Sequence, residues 1–149
     1  MMKPLHVLVL SMFLPLSALA QEEGTALNSG PLPASEVQLA EFLWLQRPIV
    51  VFADTPNDPQ FLRQMQRIEA DLDDLVERDV VVLTDTDPAA RSDARQRLRP
   101  RGFSLVLMDK DGEVKRRVPS AWSVREITHA IDRFPLRRQE MLERRPSGR

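Results

Sequence analysis

"PIVVFADTPNDPQFLRQMQRIEADLDDL", residues 48–75, decides the fold. Residues 48–53 form a short, unbroken apolar run rich in β-branched side chains, as expected of a strand covered on both faces. A polar loop follows, and Asp58 before Pro59 supplies an N-cap and a first helical residue that needs no N–H partner. Phe61, Met65, Ile68, Leu72 and Leu75 then recur at steps of four, three, four and three, which places one apolar stripe along a helix. A buried strand running directly into an amphipathic helix is the first half of a crossover unit. The next strand is expected to return parallel through a right-handed connection.

That strand is "DVVVLTD", residues 79–85. An arginine-rich helix is predicted from Ala89 to Leu98, stopped by Pro100. "FSLVLMDKDGEVKRRV", residues 103–118, reads as a hairpin in which Asp111-Gly112 supplies the turn that needs positive φ. The last helix starts at Ser123, with Glu126 completing a capping box, Trp122 stapling onto Ile127, and Val124, Ile127, Ile131 and Phe134 as its buried stripe. Upstream, Ser35 with Gln38 makes a capping-box pattern. It predicts a helix through Leu39, Phe42 and Leu43 that ends at Arg47-Pro48, with Trp44 packed under the sheet. The expected fold is α/β: an N-terminal helix, then a central four-stranded mixed sheet of order 2-1-3-4, its third strand antiparallel to the first, flanked by helices.

The ends carry different information. Residues 1–20 have one lysine near the start, an apolar run from Leu5 to Leu16 and a small-residue site at Ala18-Leu19-Ala20, the layout of a secretory signal peptide cleaved after Ala20. The apolar run is too short for a membrane span. Residues 21–34 read as a flexible leader, 35–136 as the domain, and 137–149 as a basic C-terminal tail that frays. The product is expected in the periplasm or secreted, with no membrane contact after cleavage and no nucleic acid to meet. There is no cysteine, so neither disulfides nor thiolate ligands contribute. Formal net charge is −1, but it is unevenly spread: residues 54–87 hold ten acids against three arginines, and residues 88–149 hold sixteen basic residues against eight acids.

The element order matches the core of the thioredoxin-like fold, and "RGFSLVLMDKDGEV", residues 101–114, resembles the thioredoxin segment that runs from a cis-proline through a strand, a turn and the next strand. Ser104 stands where that proline would be, and Asp54 to Pro59 occupies the redox loop without sulfur. "WLQRPIVVFADTPNDPQFLRQ", "ERDVVVL", "LRPRGFSLVLMDKDGEVK" and "FPLRRQEM" occur in order and resemble domain-of-unknown-function family 4174. The resemblance implies a small exported bacterial protein of thioredoxin-like or peroxiredoxin-like fold. It supplies no catalytic residue to carry over.

Four constellations offer themselves as sites. Asp54 closes the first strand and Asp85 and Asp87 the second, where open α/β sheets bind ligands; three carboxylates there would suit a divalent cation. "VVVLTDTD" resembles the nucleophile strand of haloacid-dehalogenase-type phosphatases, although the chain is short for that family. "DKDGE" lacks the spaced ligands of a calcium loop and reads as a hairpin turn. Arg91, Arg95 and Arg99 fall on one helical face and, with Arg137 and Arg138, could hold an anionic ligand or an acidic periplasmic protein. His129 has no nucleophile or ligand partner evident in the sequence, and Ser104 and Ser120 are serines without a base. The expectation is a non-catalytic binding or protein-interaction module that needs no cofactor, because thiol-disulfide exchange requires a thiolate. The alternative is a metal-assisted hydrolase or phosphatase using Asp54, Asp85 and Asp87.

Overall fold

The computed structural model describes residues 30–145. Residues 1–20, read above as a signal peptide, residues 21–29 of the expected leader and residues 146–149 of the expected tail lie outside them. Strand β1 (Leu32–Pro33) is followed by two single 3-10 turns at Ala34–Glu36 and Leu39–Phe42, and then by β2 (Arg47–Phe52). Helices α1 (Pro59–Ala70) and α2 (Leu72–Val76) lead into β3 (Val80–Asp85). After α3 (Asp93–Leu98) come β4 (Ser104–Met108), β5 (Val114–Val118), α4 (Val124–Ile131) and α5 (Pro135–Glu143).

The sheet has five strands in the order β1-β3-β2-β4-β5. β2 pairs parallel with β3 and antiparallel with β4, and β5 pairs antiparallel with β4. The predicted order 2-1-3-4 is therefore present as β3-β2-β4-β5. β1 adds one parallel edge pairing, Leu32 with Leu83 and Pro33 with Thr84. This corrects the reading of 21–34 as leader throughout: a two-residue strand gives no periodicity to detect, and proline is tolerated on an edge.

Alternation along the strands explains their continuous apolar runs. Ile49, Val51, Val82, Leu105 and Leu107 face Ile68, Leu75, Ile127 and Ile131 in one core layer. Val50, Phe52, Leu83, Val106 and Met108 face Ala34, Leu39, Phe42 and Leu98 in the other. Each such side chain contributes about 1.5–3 kcal/mol when taken fully from water. The α1 stripe sits as expected, with Ile68 and Leu75 fully buried and Phe61, Met65 and Leu72 packed at the edge. A break at Asp71 (φ −130°, ψ 38°) separates α1 from α2 without taking Leu72 and Leu75 off that stripe.

Local chemistry fixes the element ends. The Asp58 carboxylate accepts the N–H of Gln60 and of Phe61. Ser123 and Glu126 form the capping box that opens α4. Gly112 takes φ 81° in the β4–β5 turn.

Four further expectations need correction. No α-helix runs from Ser35 to Leu45; the stretch holds only the two 3-10 turns, and the capping box belongs to Gln38 and Glu41. Only Leu39 and Phe42 are buried there, too few for an α-helical stripe, and they lie one 3-10 turn apart. Trp44 is not under the sheet: it is 67% exposed at φ 64°, and its backbone N–H donates to the Lys110 carbonyl. The stretch 137–149 is not a tail through its first residues, because Pro135–Glu143 is helical and Arg137 is buried. The predicted helix 89–98 is likewise split, into a 3-10 turn at Pro88–Ala90 and α3, by Arg91 in the left-handed region.

Candidate functional site

The carboxyl ends of β2 and β3 meet where Ala53 donates its N–H to the Asp85 carbonyl. Beyond them the loop from Asp54 to Asp58 folds on itself: the Asp58 N–H donates to the Thr55 carbonyl and the Asn57 N–H to the Thr55 hydroxyl. This is the position of the redox loop in the thioredoxin-like arrangement, and it holds no sulfur.

Asp85 is 6% exposed and its carboxylate is fully engaged. Arg95, reaching across from α3, donates Nε and Nη2 to it at 2.9–3.2 Å; the Ser92 hydroxyl and the Asp87 N–H also donate to it. The same guanidinium donates to the Ala53 carbonyl and lies over the Phe52 ring, 5.4 Å from its centroid. One arginine thus ties the ends of β2 and β3 to α3.

The three aspartates read as a cation set are placed differently from one another. Asp54 is exposed, 3.9 Å from Arg95 Nη1. Asp87 is exposed and caps the Pro88–Ala90 turn through the Ala89 N–H. Among the described residues no three histidine, aspartate or glutamate side chains gather as metal ligands. The charge of Asp85 is already matched by Arg95, so a cation there would have to displace it.

The arginine stripe also separates. Arg95 faces inward, whereas Arg91 and Arg99 are exposed, both in the left-handed region at φ 50° and 47°. Arg137 is buried at the opposite end of the sheet and donates to Asp132 and Glu140, and Arg138 is exposed. Sequence reasoning missed the arginines that do share a groove with Arg99. Arg101, on the loop before β4, and Arg117, on β5, join Phe103, Ser104 and Pro119 around a groove of about 370 Å³ at the same end as Asp85. Among the described residues the side chains of these three arginines have no ion-pair partner. His129 is exposed on α4.

At the other end of β2, Arg47 is fully buried, donating to Asp109 at 2.9 Å, to Glu140 at 2.9 Å and to the Arg78 carbonyl at 3.0 Å. Lys110 bridges Asp79 and Glu140, and Arg78 pairs with Asp132. Burial alone would raise the Glu140 carboxyl, but the hydrogen bonds and charges of Arg47 and Lys110 outweigh it and hold it at about 2, below its usual 4.5. The Asp132 carboxyl, raised by burial and lowered by Arg78 and Arg137, lies on balance below its usual value.

Comparison with solved structures agrees with the topology. The chain resembles the reduced 2-Cys peroxiredoxin of Plasmodium vivax (TM-score 0.56, 16% identity, covering 70% of this chain and 85% of that one). It also resembles Prx1a of Plasmodium yoelii modified at the N-terminus (TM-score 0.52, 18% identity, 76% and 84% covered). Reduced desulfothioredoxin from Desulfovibrio vulgaris Hildenborough is similar at TM-score 0.50 and 19% identity, with 71% and 98% covered. At these identities the likeness establishes a thioredoxin-type fold and nothing of the chemistry. No curated protein matches the sequence. A family profile described as "Domain of unknown function (DUF4174)" matches residues 38–140, which runs from the Gln38 cap to Glu140 on α5 and takes in β2 to β5; the chain belongs to that family.

Proposed function

We propose that this protein is a non-catalytic binding module, exported to the periplasm by residues 1–20, whose binding surface lies at the carboxyl ends of β2 and β3. The observation that carries this reading is the closed Asp85–Arg95 pair beside the sulfur-free loop 54–58. Where a thioredoxin-type fold could present a reactive group, this chain presents a neutralised ion pair that joins structural elements. Neither serine nor methionine replaces a thiolate in disulfide exchange. The open groove beside Ser104 supports a ligand or partner that docks without being transformed.

The test is a set of turnover assays on the purified chain. Insulin disulfide reduction, peroxide consumption and phosphatase assays with Mg²⁺, Mn²⁺ or Ca²⁺ are expected to show no activity above buffer. Turnover in any of them, abolished by Asp85→Asn, would overturn the reading. For export, the periplasmic form is expected to begin at Gln21 by mass spectrometry, and retention of Met1 in the cytoplasm would refute it.

A further inference from the structure

We infer that the groove beside Ser104 is a site for a phosphomonoester-type dianion on a small organic ligand, an assignment that rests on the reading of this end of the sheet as a binding surface. Two backbone segments bring arginines to it: the α3–β4 loop, with Arg99 just after the helix and Arg101 two residues on, and β5, with Arg117. All three residues are exposed, and none is ion-paired among the described residues. By contrast, Arg47, Arg78, Arg95 and Arg137 each meet a carboxylate. Like charges gathered around one concavity, without counter-ions from the fold, repel one another and lower the potential of any anion that enters.

A second observation points into the same place. Ser104 is only 5% exposed yet lines the groove, and its hydroxyl makes no hydrogen bond to a described residue. The occupant should therefore present several acceptor oxygens and more than one negative charge. A carboxylate offers one charge and two oxygens. A phosphomonoester carries roughly −1.5 to −2 near neutrality with three oxygens, matching a set of guanidinium donors. The volume, about 370 Å³, lies within the range of small-molecule sites, and Phe103 with Pro119 offers an apolar wall for the organic part.

The probes are phenyl phosphate, inorganic phosphate, sulfate and benzoate, titrated into the full purified chain by calorimetry and amide-resolved NMR at low ionic strength. Phenyl phosphate is expected to bind tightest, at least ~10-fold better than benzoate, with shifts confined to residues around 99–104 and 117–119. Arg99→Gln and Arg117→Gln should each weaken it by ~10-fold, as loss of a charge-assisted hydrogen bond does. Phe103→Leu should bring phenyl phosphate down toward inorganic phosphate, whereas Arg125→Gln, which removes an exposed arginine on α4, should change nothing. Equal binding of benzoate, an equal loss from Arg125→Gln, or no binding overturns the site. Circular dichroism confirms that each variant is folded. If phenyl phosphate binds and is hydrolysed, the groove stands and the non-catalytic reading falls. If it neither binds nor turns over, the groove falls and the non-catalytic reading remains.

Discussion

The two ends of the central sheet treat arginine in opposite ways. Where β2 begins, Arg47, Arg78, Lys110 and Arg137 are matched to Asp79, Asp109, Asp132 and Glu140, and the network draws β2, the β4–β5 turn and α5 together. Where β2 ends, Arg95 is matched to Asp85, but Arg99, Arg101 and Arg117 stand around a groove with no carboxylate paired to them among the described residues. The first arrangement stabilises the fold only while it is complete, since each buried charge depends on its partner. The second returns nothing to the fold and leaves positive charge available to a ligand. Paired charge at one end thus reads as architecture, and unpaired charge at the other as function.

The sharpest way to break this contrast is Arg47→Met. The substitution leaves Asp109, which is 1% exposed and already has one carboxylate oxygen without a hydrogen-bond partner, as a buried charge without its cation. A loss of about 3–5 kcal/mol is expected in urea unfolding. The double variant Arg47→Met with Asp109→Leu should recover most of it, because a well-packed apolar pair replaces a buried ion pair at little net cost. A loss under about 1 kcal/mol in the single variant would mean that the network is not what holds α5.

At the opposite end, Arg95→Met removes the donors that satisfy Asp85 and the cation over Phe52. The expected loss is smaller, about 2–3 kcal/mol, because Ser92 and the Asp87 N–H still donate to Asp85 and Arg95 itself is partly exposed. Hydrogen exchange should quicken in loop 54–58 more than in β4. If exchange quickens equally throughout, Arg95 acts on the whole fold and not as a local tie.

The pH dependence isolates the paired end. The Glu140 carboxyl is held at about 2 in the folded chain, below its usual 4.5. A depressed carboxyl adds stability above the unfolded value and loses it as pH falls toward the folded one. The native chain should therefore weaken between about pH 4.5 and 2. Glu140→Gln should flatten that part of the stability curve and lower stability at neutral pH by on the order of 1 kcal/mol, allowing for solvent screening of a side chain that is 20% exposed. An unchanged slope in the variant would show that Glu140 gains nothing from Arg47 and Lys110.

What the sequence revealed divides along the same line. β2, α1, β3, the β4–β5 hairpin and α4 were legible because each is specified by neighbours: an apolar run, a stripe at helical spacing, Asp58-Pro59, Asp111-Gly112, Ser123 with Glu126. The misreadings involve partners far apart in the chain. α5 is anchored by Glu140 on Arg47, ninety-three positions away, so its basic composition gave no sign of an anchor. Asp85 resembled a ligand only while its pairing with Arg95 was invisible, and Arg91, Arg95 and Arg99 formed a stripe only if residues 89–98 were one helix. The groove arginines come from segments that periodicity cannot connect. Trp44 was misplaced because its left-handed backbone, which turns the chain before β2, is not encoded by residue type.

The smallest effect tests the open end most directly. Arg99 sits just past α3 at φ 47°, the position and conformation in which helices favour glycine, and three residues later the chain does use Gly102 at φ 57°. An L-residue in this region is strained by about 1–2 kcal/mol, part of which glycine loses again through its greater freedom when unfolded. Arg99→Gly should therefore raise stability by about 0.5 kcal/mol in thermal unfolding, while Arg117→Gln, on extended backbone, should stay within about 0.5 kcal/mol of the native chain. Both should weaken phenyl phosphate. Stability gained together with affinity lost, at one residue, is the signature of a side chain retained for its ligand. If Arg99→Gly destabilises instead, Arg99 supports the fold as Arg47 does, and the two ends of the sheet no longer differ in kind.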